Sequence, residues 1–177
     1  MRDEKETLFN EFFNNLLNYM NEIIWMGACH ATTAMMYAFA LKIGLNPIAC
    51  IGEVEKKGDK PFDHSWLTID DKIYDLAISL PLPDGFHMAT GPVYASIDKK
   101  TNKEVDMKYG IKFLGLGAQA MFAYQNNLYS YISKCPSLKI INVIIDLAKR
   151  SKIVITRKWL ENNLSNVNFT LVDTTQR

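Results

Sequence analysis

The stretch that decides the fold is residues 27–44, which read GACHATTAMMYAFALKIG. Its apolar side chains recur with helical period, and further apolar side chains fill the opposite face, so that no polar face is left. Gly27 breaks the preceding pattern, and Gly44 stands where helices commonly end. A helix that is apolar all round belongs in the interior of a protein. The sequence therefore predicts a buried helix over residues 28–43, whose first turn holds its side chains rigidly.

Regular patterns flank this helix on both sides. Before it, residues 4–24 have helical period with one polar face. After it, the patterns predict three strands, over 48–54, 63–69 and 72–77. A loop rich in proline and glycine follows over 80–92 and is a candidate binding loop. Two further strands, over 93–97 and 105–109, are predicted to form a hairpin. The last third has three helical patterns, which we expect to cover the sheet, over 119–132, 138–149 and 157–164.

Composition places the chain among ordinary globular proteins. Hydrophobic residues make up 48% of its 177 residues, which suffices for one core, whereas the length is short for two. We therefore expect a single domain over residues 1–177. The 20 basic residues are balanced by 19 acidic ones, so the chain has no field that attracts nucleic acid or an acidic membrane surface, and neither is expected as a partner.

Three cysteines, Cys29, Cys50 and Cys135, stand at irregular spacing. They form none of the paired CxxC clusters that bind zinc or make a redox dithiol, and we expect no metal and no cofactor. No secretory signal is visible at the charged first residues, and the longest apolar stretch, residues 34–41, falls short of the roughly 20 residues that span a bilayer. These features predict a protein of a reducing compartment, the cytoplasm.

Cys29 stands at the start of the predicted buried helix. Unpaired backbone N–H groups and the positive end of the helix dipole favour a thiolate there, although a buried cysteine taken alone is most often structural. A nucleophilic thiolate needs a base from elsewhere in the chain and donors for an oxyanion, one of which can be its own backbone N–H. Cys50 and Cys135 have no acid or base pattern nearby and are interpreted as structural.

The best partner for Cys29 is His64, which opens a predicted strand. If residues 70–71 form a two-residue turn, opposed positions place His64 across from Ala77 and Trp66 across from Asp75. His64 and Asp75 are then diagonal neighbours on one face, with α-carbons about 7–8 Å apart. A three-residue turn would instead send Asp75 to the opposite face.

With the two-residue turn, Asp75 can orient His64. A carboxylate on one imidazole nitrogen fixes the tautomer and leaves the other nitrogen to face the thiol. Residues Cys29, His64 and Asp75 are therefore predicted to form a catalytic triad.

These motifs together resemble the transglutaminase-like superfamily, which is related to papain in fold. The resemblance rests on Gly-Ala-Cys opening an apolar helix, His-Ser-Trp, and Tyr-Asp-Leu after a hairpin, within residues 25–77. It implies an α+β, papain-like (transglutaminase-like) fold, with a central N-terminal helix packed on an antiparallel sheet and additional C-terminal helices. It also implies that Cys29, His64 and Asp75 are catalytic. Arylamine acetyltransferases share this ordering, but their Arg-Gly-Gly before the cysteine is missing here, which favours amide cleavage over acetyl transfer.

Four other residues are possible parts of the site. Trp25 could contribute to the oxyanion site through its backbone or indole N–H, or could simply be a helix staple. Trp66 could wall the site or belong to the core. His30 is interpreted as lining the pocket rim, because neighbouring helix residues point about 100° apart. His87 is interpreted as an exposed loop histidine outside the triad.

The leading functional hypothesis is a cysteine hydrolase, a peptidase or amidase acting on a peptide, protein or small amide through a thioester acyl-enzyme. Acyl transfer and transglutaminase-type transfer to an amine use the same triad and stay open. A non-catalytic binding protein that keeps the fold is the alternative from a different class, since fold does not establish activity. The substrate, the oligomeric state and the role of the C-terminal helices over residues 117–164 are left undecided by the sequence.

Overall fold

A computed structural model of the chain describes residues 2–80, 90–135 and 139–174. The α-helices within these ranges are α1 (Arg2–Glu22), α2 (Cys29–Lys42), α3 (Ala118–Gln125), α4 (Leu128–Lys134), α5 (Ile140–Arg150) and α6 (Arg157–Leu164). The strands are β1 (Pro47–Glu55), β2 (Phe62–Ile69), β3 (Lys72–Tyr74), β4 (Val93–Tyr94), β5 (Ile97–Asp98), β6 (Lys103–Glu104), β7 (Lys108–Ile111) and β8 (Thr170–Leu171). The mixed α+β class and the predicted order helix, helix, strand, strand, strand are confirmed.

The main sheet runs β3-β2-β1-β7, and all neighbours in this order are antiparallel. The far edge of β1 is shared, because β7 pairs with its end while β8 pairs with its middle in the parallel sense. Strands β4, β5 and β6 form a second, smaller antiparallel sheet. The pairing of Asp75 with Val93 connects the two sheets directly after β3.

Helix α2 is the centre of the molecule, as its apolar pattern predicts. All its residues from Cys29 to Ala40 are buried. It packs on β1 and β2 on one side and on α1, α4 and α5 on the other. Because α2 is enclosed in this way, the side chains of its first turn have fixed surroundings. Within the described ranges, no helix has the combination of length and apolar content that a bilayer crossing requires.

The turn between β2 and β3 has the two central residues that the register argument required. Asp70 and Asp71 both lie in the left-handed region, with φ of 50° and 60°, as a type I′ hairpin turn demands. The paired residues are Leu67 with Tyr74, Thr68 with Ile73 and Ile69 with Lys72. The predicted register is therefore correct.

The hairpin ends earlier than predicted. After Tyr74 the chain leaves β2, so that Asp75 pairs with Val93, and Ala77–Ser79 forms a short 3₁₀ helix. The predicted partnerships of Trp66 with Asp75 and of His64 with Ala77 are replaced by these local contacts. The alternation of side chains along the strand continues to Asp75, so that its carboxylate still contacts His64.

Three other predictions about the fold are wrong. The hairpin of residues 93–97 with 105–109 is not formed, because β4 turns directly into β5 and β7 instead joins β1 in the main sheet. The C-terminal helices do not cover the sheet: α5 packs against α1 and α2, and α4 packs against α2, α5 and α6. The helical pattern over residues 119–132 is also split into α3 and α4.

Candidate active site

Cys29 is the first residue of α2, and its side chain is 9% exposed. The residue before it, Ala28, offers no side-chain cap to the helix. The N–H groups of a first turn have no acceptor within their own helix. They therefore supply positive potential at the sulfur, which stabilises a thiolate.

His64 and Asp75 are in direct contact, as the register predicts. The His64 Nε2–H donates to Asp75 Oδ2 at 2.8 Å, and the two residues are 4% and 1% exposed. Since Asp75 occupies Nε2, the Nδ1 atom of His64 is left for Cys29. The structure thus brings the three predicted triad residues together in the order that a thiol–imidazole–carboxylate chain requires.

The Asp75 carboxylate is held by more than His64. The hydroxyl of Tyr109 donates to the same Oδ2 atom at 3.0 Å, and the Ile78 N–H donates to Oδ1 at 3.2 Å. Three donors bind both oxygens of the buried carboxylate and therefore fix its orientation. Burial and the charge and hydrogen bond of Asp75 raise the pKa of Tyr109 well above its usual value, so Tyr109 is a permanent donor.

The sequence does not indicate Tyr109 as a residue of the site, because its stretch predicts a local hairpin that is not formed. Its true position on β7, two strands away from β2, brings its hydroxyl to Asp75 and its ring to Trp66, with centroids 5.0 Å apart. Pairing between β7 and β1 depends on long-range contacts, and no local pattern around residue 109 indicates it.

Replacing Tyr109 by Phe should lower the free energy of unfolding by about 1–3 kcal/mol, because a hydrogen bond to a buried charged group is lost while the ring packing is kept. Chemical denaturation followed by circular dichroism measures this change. The exposed Tyr124 provides the control: Tyr124→Phe should shift the free energy of unfolding by less than about 0.5 kcal/mol. Equal effects of the two variants would contradict a structural bond from Tyr109 to Asp75.

The electrostatics of the site favour a charged pair. Burial on its own would raise the pKa of the Cys29 thiol, but the adjacent His30 and His64 imidazoles outweigh it and lower the pKa to about 5. Burial likewise opposes a charged His64, whereas the charges and hydrogen bonds of Asp75 and Cys29 raise its pKa to about 10. Between these two values the site holds a thiolate and an imidazolium, which is the reactive form of a cysteine nucleophile.

His30 is a buried neighbour of Cys29 and not a residue of the pocket rim. Its Nδ1 shares a hydrogen bond of 2.7 Å with the hydroxyl of Ser65 on β2. Its ring also makes edge contacts with Tyr131 and Phe169, at centroid distances of 6.3 and 6.2 Å. The prediction failed because the enclosure of α2 buries even its first turn. Among the described residues, the hydrogen-bond partner of His30 is the Ser65 hydroxyl and not a carboxylate of the kind that orients His64, so His64 remains the better base.

The two tryptophans have different places. The backbone N–H of Trp25 donates to the Met20 carbonyl at 2.9 Å, so this N–H is not the oxyanion donor that the sequence suggested. Trp66 is 2% exposed and lies in a small core cluster behind the triad, against the Tyr109 ring. It supports the site through Tyr109 and does not line it.

The remaining predictions concern Cys50, Cys135 and His87. Cys50 is buried, and burial raises the pKa of its thiol, which fits a structural role. Cys135 is half-buried. His87 and most of the predicted loop over residues 80–92 lie outside the described residues. The carbonyl of Leu80 accepts from the Gly27 N–H at 3.1 Å, which places the beginning of that loop beside the entry to α2.

Comparisons with known proteins found no relative of this chain: no protein-family model, no curated protein and no solved structure matches it. A buried thiol with a lowered pKa, an imidazole beside it and a fixed carboxylate behind the imidazole can perform nucleophilic attack with proton transfer.

Proposed function

We propose that the protein is a cysteine-dependent hydrolase, a peptidase or amidase of papain-like (transglutaminase-like) fold, in which Cys29, His64 and Asp75 are the catalytic triad. The observation that carries the proposal is the bond between His64 Nε2 and Asp75 Oδ2 at 2.8 Å, in a pair whose imidazole, together with that of His30, lowers the pKa of the Cys29 thiol at the start of α2. A structural cysteine needs none of these partners, whereas an acyl-forming nucleophile needs all of them. Among the described residues no cysteine is in a disulfide, which suits a reducing compartment such as the cytoplasm.

In the proposed reaction, the Cys29 thiolate attacks the carbonyl carbon of an amide. The oxyanion that forms accepts hydrogen bonds from backbone N–H groups of the first turn of α2, that of Cys29 among them. The His64 imidazolium gives its proton to the departing amine as the carbon–nitrogen bond breaks, and a thioester is left. Asp75 stabilises the imidazolium throughout and is not itself protonated.

Water completes the cycle. Neutral His64 removes a proton from a water molecule, the resulting hydroxide attacks the thioester, and the thiolate leaves as the carboxylic acid product forms. The site then again holds thiolate and imidazolium. An amine in place of water would give acyl transfer by the same steps, so the nucleophile of the second step decides between these two outcomes.

A panel of peptide and amide probes that carry a cysteine-trapping group tests the proposal. Intact mass spectrometry of the wild-type protein should show a single adduct per chain with at least one probe, because only Cys29 combines a thiolate with an acyl-binding site. The Cys29→Ala variant should show none under the same conditions. Slow adduct formation at all three cysteines, with no effect of Cys29→Ala on the first adduct, would favour a binding protein without chemistry.

A further inference from the structure

Helix α3 presents its side chains in the reverse of the usual arrangement. Its buried residues are Ala120 and Ala123, whereas Met121, Phe122 and Tyr124 are exposed. A helix that stabilises a fold normally buries its large apolar residues and exposes small or polar ones. The large side chains of α3 therefore form a contact surface that the described part of the chain leaves uncovered.

The loop before α3 extends the same surface and is firmly anchored. Phe113 and Leu114 are 53% and 75% exposed, and the buried Glu53 carboxylate accepts from their two backbone N–H groups at 2.7 and 2.8 Å. Further along, the Asp63 carboxylate accepts from the Gly117 N–H at 2.7 Å. Charged hydrogen bonds of this kind hold a loop in one geometry. We call the five exposed residues the apolar ledge: Phe113, Leu114, Met121, Phe122 and Tyr124.

The apolar ledge is continuous with the candidate active site. Asp63, which anchors the loop, directly precedes His64 on β2. From the other side, the Phe122 ring lies 6.2 Å from the Tyr131 ring, and the Tyr131 ring lies 6.3 Å from the imidazole of His30, the neighbour of Cys29. A substrate held on the ledge is thus within a few side chains of the sulfur.

The charge and polarity of the ledge indicate which kind of ligand it binds. Residues 113–127 contain no charged side chain. The basic side chains at their borders include Lys112, which lies 3.8 Å from the Asp173 carboxylate, and Lys134, whose ammonium donates to the Asn126 amide oxygen at 3.0 Å. Two separated lysines do not make the basic cluster that binds an acidic membrane or a polyanion. An uncharged surface of aromatic and aliphatic side chains binds groups of the same kind. We propose that the ledge binds large apolar side chains of an extended peptide whose acyl group is transferred to Cys29. This inference rests on the proposed function and specifies its substrate as an apolar peptide.

Two peptidyl chloromethyl ketones test the inference, acetyl-Leu-Leu-Phe and acetyl-Ser-Ser-Asn, with iodoacetamide as a probe that needs no peptide site. The second-order rate constant for modifying Cys29 should be about tenfold higher or more for the apolar ketone. Phe122→Ser should reduce that ratio several-fold and leave the iodoacetamide rate unchanged. Val154→Ser is the matched control, since Val154 is 75% exposed near Lys42 at the opposite end of α2, and it should change neither rate.

Each failure has a distinct signature. Similar rates for the two ketones, together with a fast iodoacetamide reaction at Cys29, would overturn the ledge as a peptide site and leave the thiol chemistry standing. Slow iodoacetamide reaction at Cys29 would instead overturn the proposed function. Sedimentation that shows a dimer of the wild-type protein and a monomer of Phe122→Ser would assign the ledge to a second copy of the chain, against the inference.

Discussion

Iodoacetamide should alkylate Cys29 at pH 6 on the order of ten times faster than an ordinary exposed thiol, and the rate should fall only as the pH drops through about 5. At pH 6 a thiol of pKa about 5 is almost fully ionised, whereas one of pKa 9 is ionised to about one part in a thousand. The weaker nucleophilicity of a low-pKa thiolate offsets part of this advantage and leaves roughly tenfold. Peptide mapping after timed alkylation between pH 4 and pH 9 measures the rate at each cysteine.

The other cysteines are internal controls for this measurement. Cys50 should react slowest, because burial both blocks access and raises the pKa of its thiol. Cys135, which is half-buried, should react more slowly than Cys29 at pH 6. In the His64→Ala variant the preference for Cys29 should shrink to the part that His30 supports. A Cys29 rate that rises through pH 9 in the wild-type protein would contradict a preformed thiolate.

The parts of the site that the sequence predicts are those set by short-range rules. Helix α2 is recognisable because its apolar residues continue around the whole helix. Contact between His64 and Asp75 is predictable because a two-residue turn at residues 70–71 fixes the register of the hairpin, and side-chain parity survives even though β3 ends at Tyr74.

The parts that the sequence does not predict depend on contacts between distant segments. Tyr109 reaches Asp75 only because β7 joins β1, and its own stretch equally suggests a local hairpin. His30 is buried because α4 and residues near Phe169 close over the first turn of α2, where Tyr131 and Phe169 contact its ring. The exposed apolar side chains of α3 look like ordinary core residues in the sequence, since their pattern gives no sign that alanines face inward.

Asp75→Asn should lower the pH at which the His64 imidazolium loses its proton from about 10 to about 7–9. The sign follows from the charges. An opposite charge in contact with an imidazole raises its pKa by roughly 1–3 units, so loss of the Asp75 charge lowers the pKa of His64 by that amount. The thiolate–imidazolium pair then persists at pH 6 but is lost between about pH 7 and pH 9, where the wild-type protein keeps it. NMR of the imidazole carbons during a pH titration measures the change.

Asp71→Asn is the matched control for this variant. Asp71 is an exposed residue of the turn that precedes β3, with φ of 60°, a conformation that asparagine accepts readily. It removes the same charge from the same hairpin without the bond to His64, so the pKa of His64 should stay at about 10. Equal shifts in both variants would show that the hairpin's total charge sets the pKa of His64. A shift confined to Asp75→Asn requires the direct bond between Asp75 Oδ2 and His64 Nε2, which makes Asp75 the residue that keeps the imidazolium beside the thiolate above neutral pH.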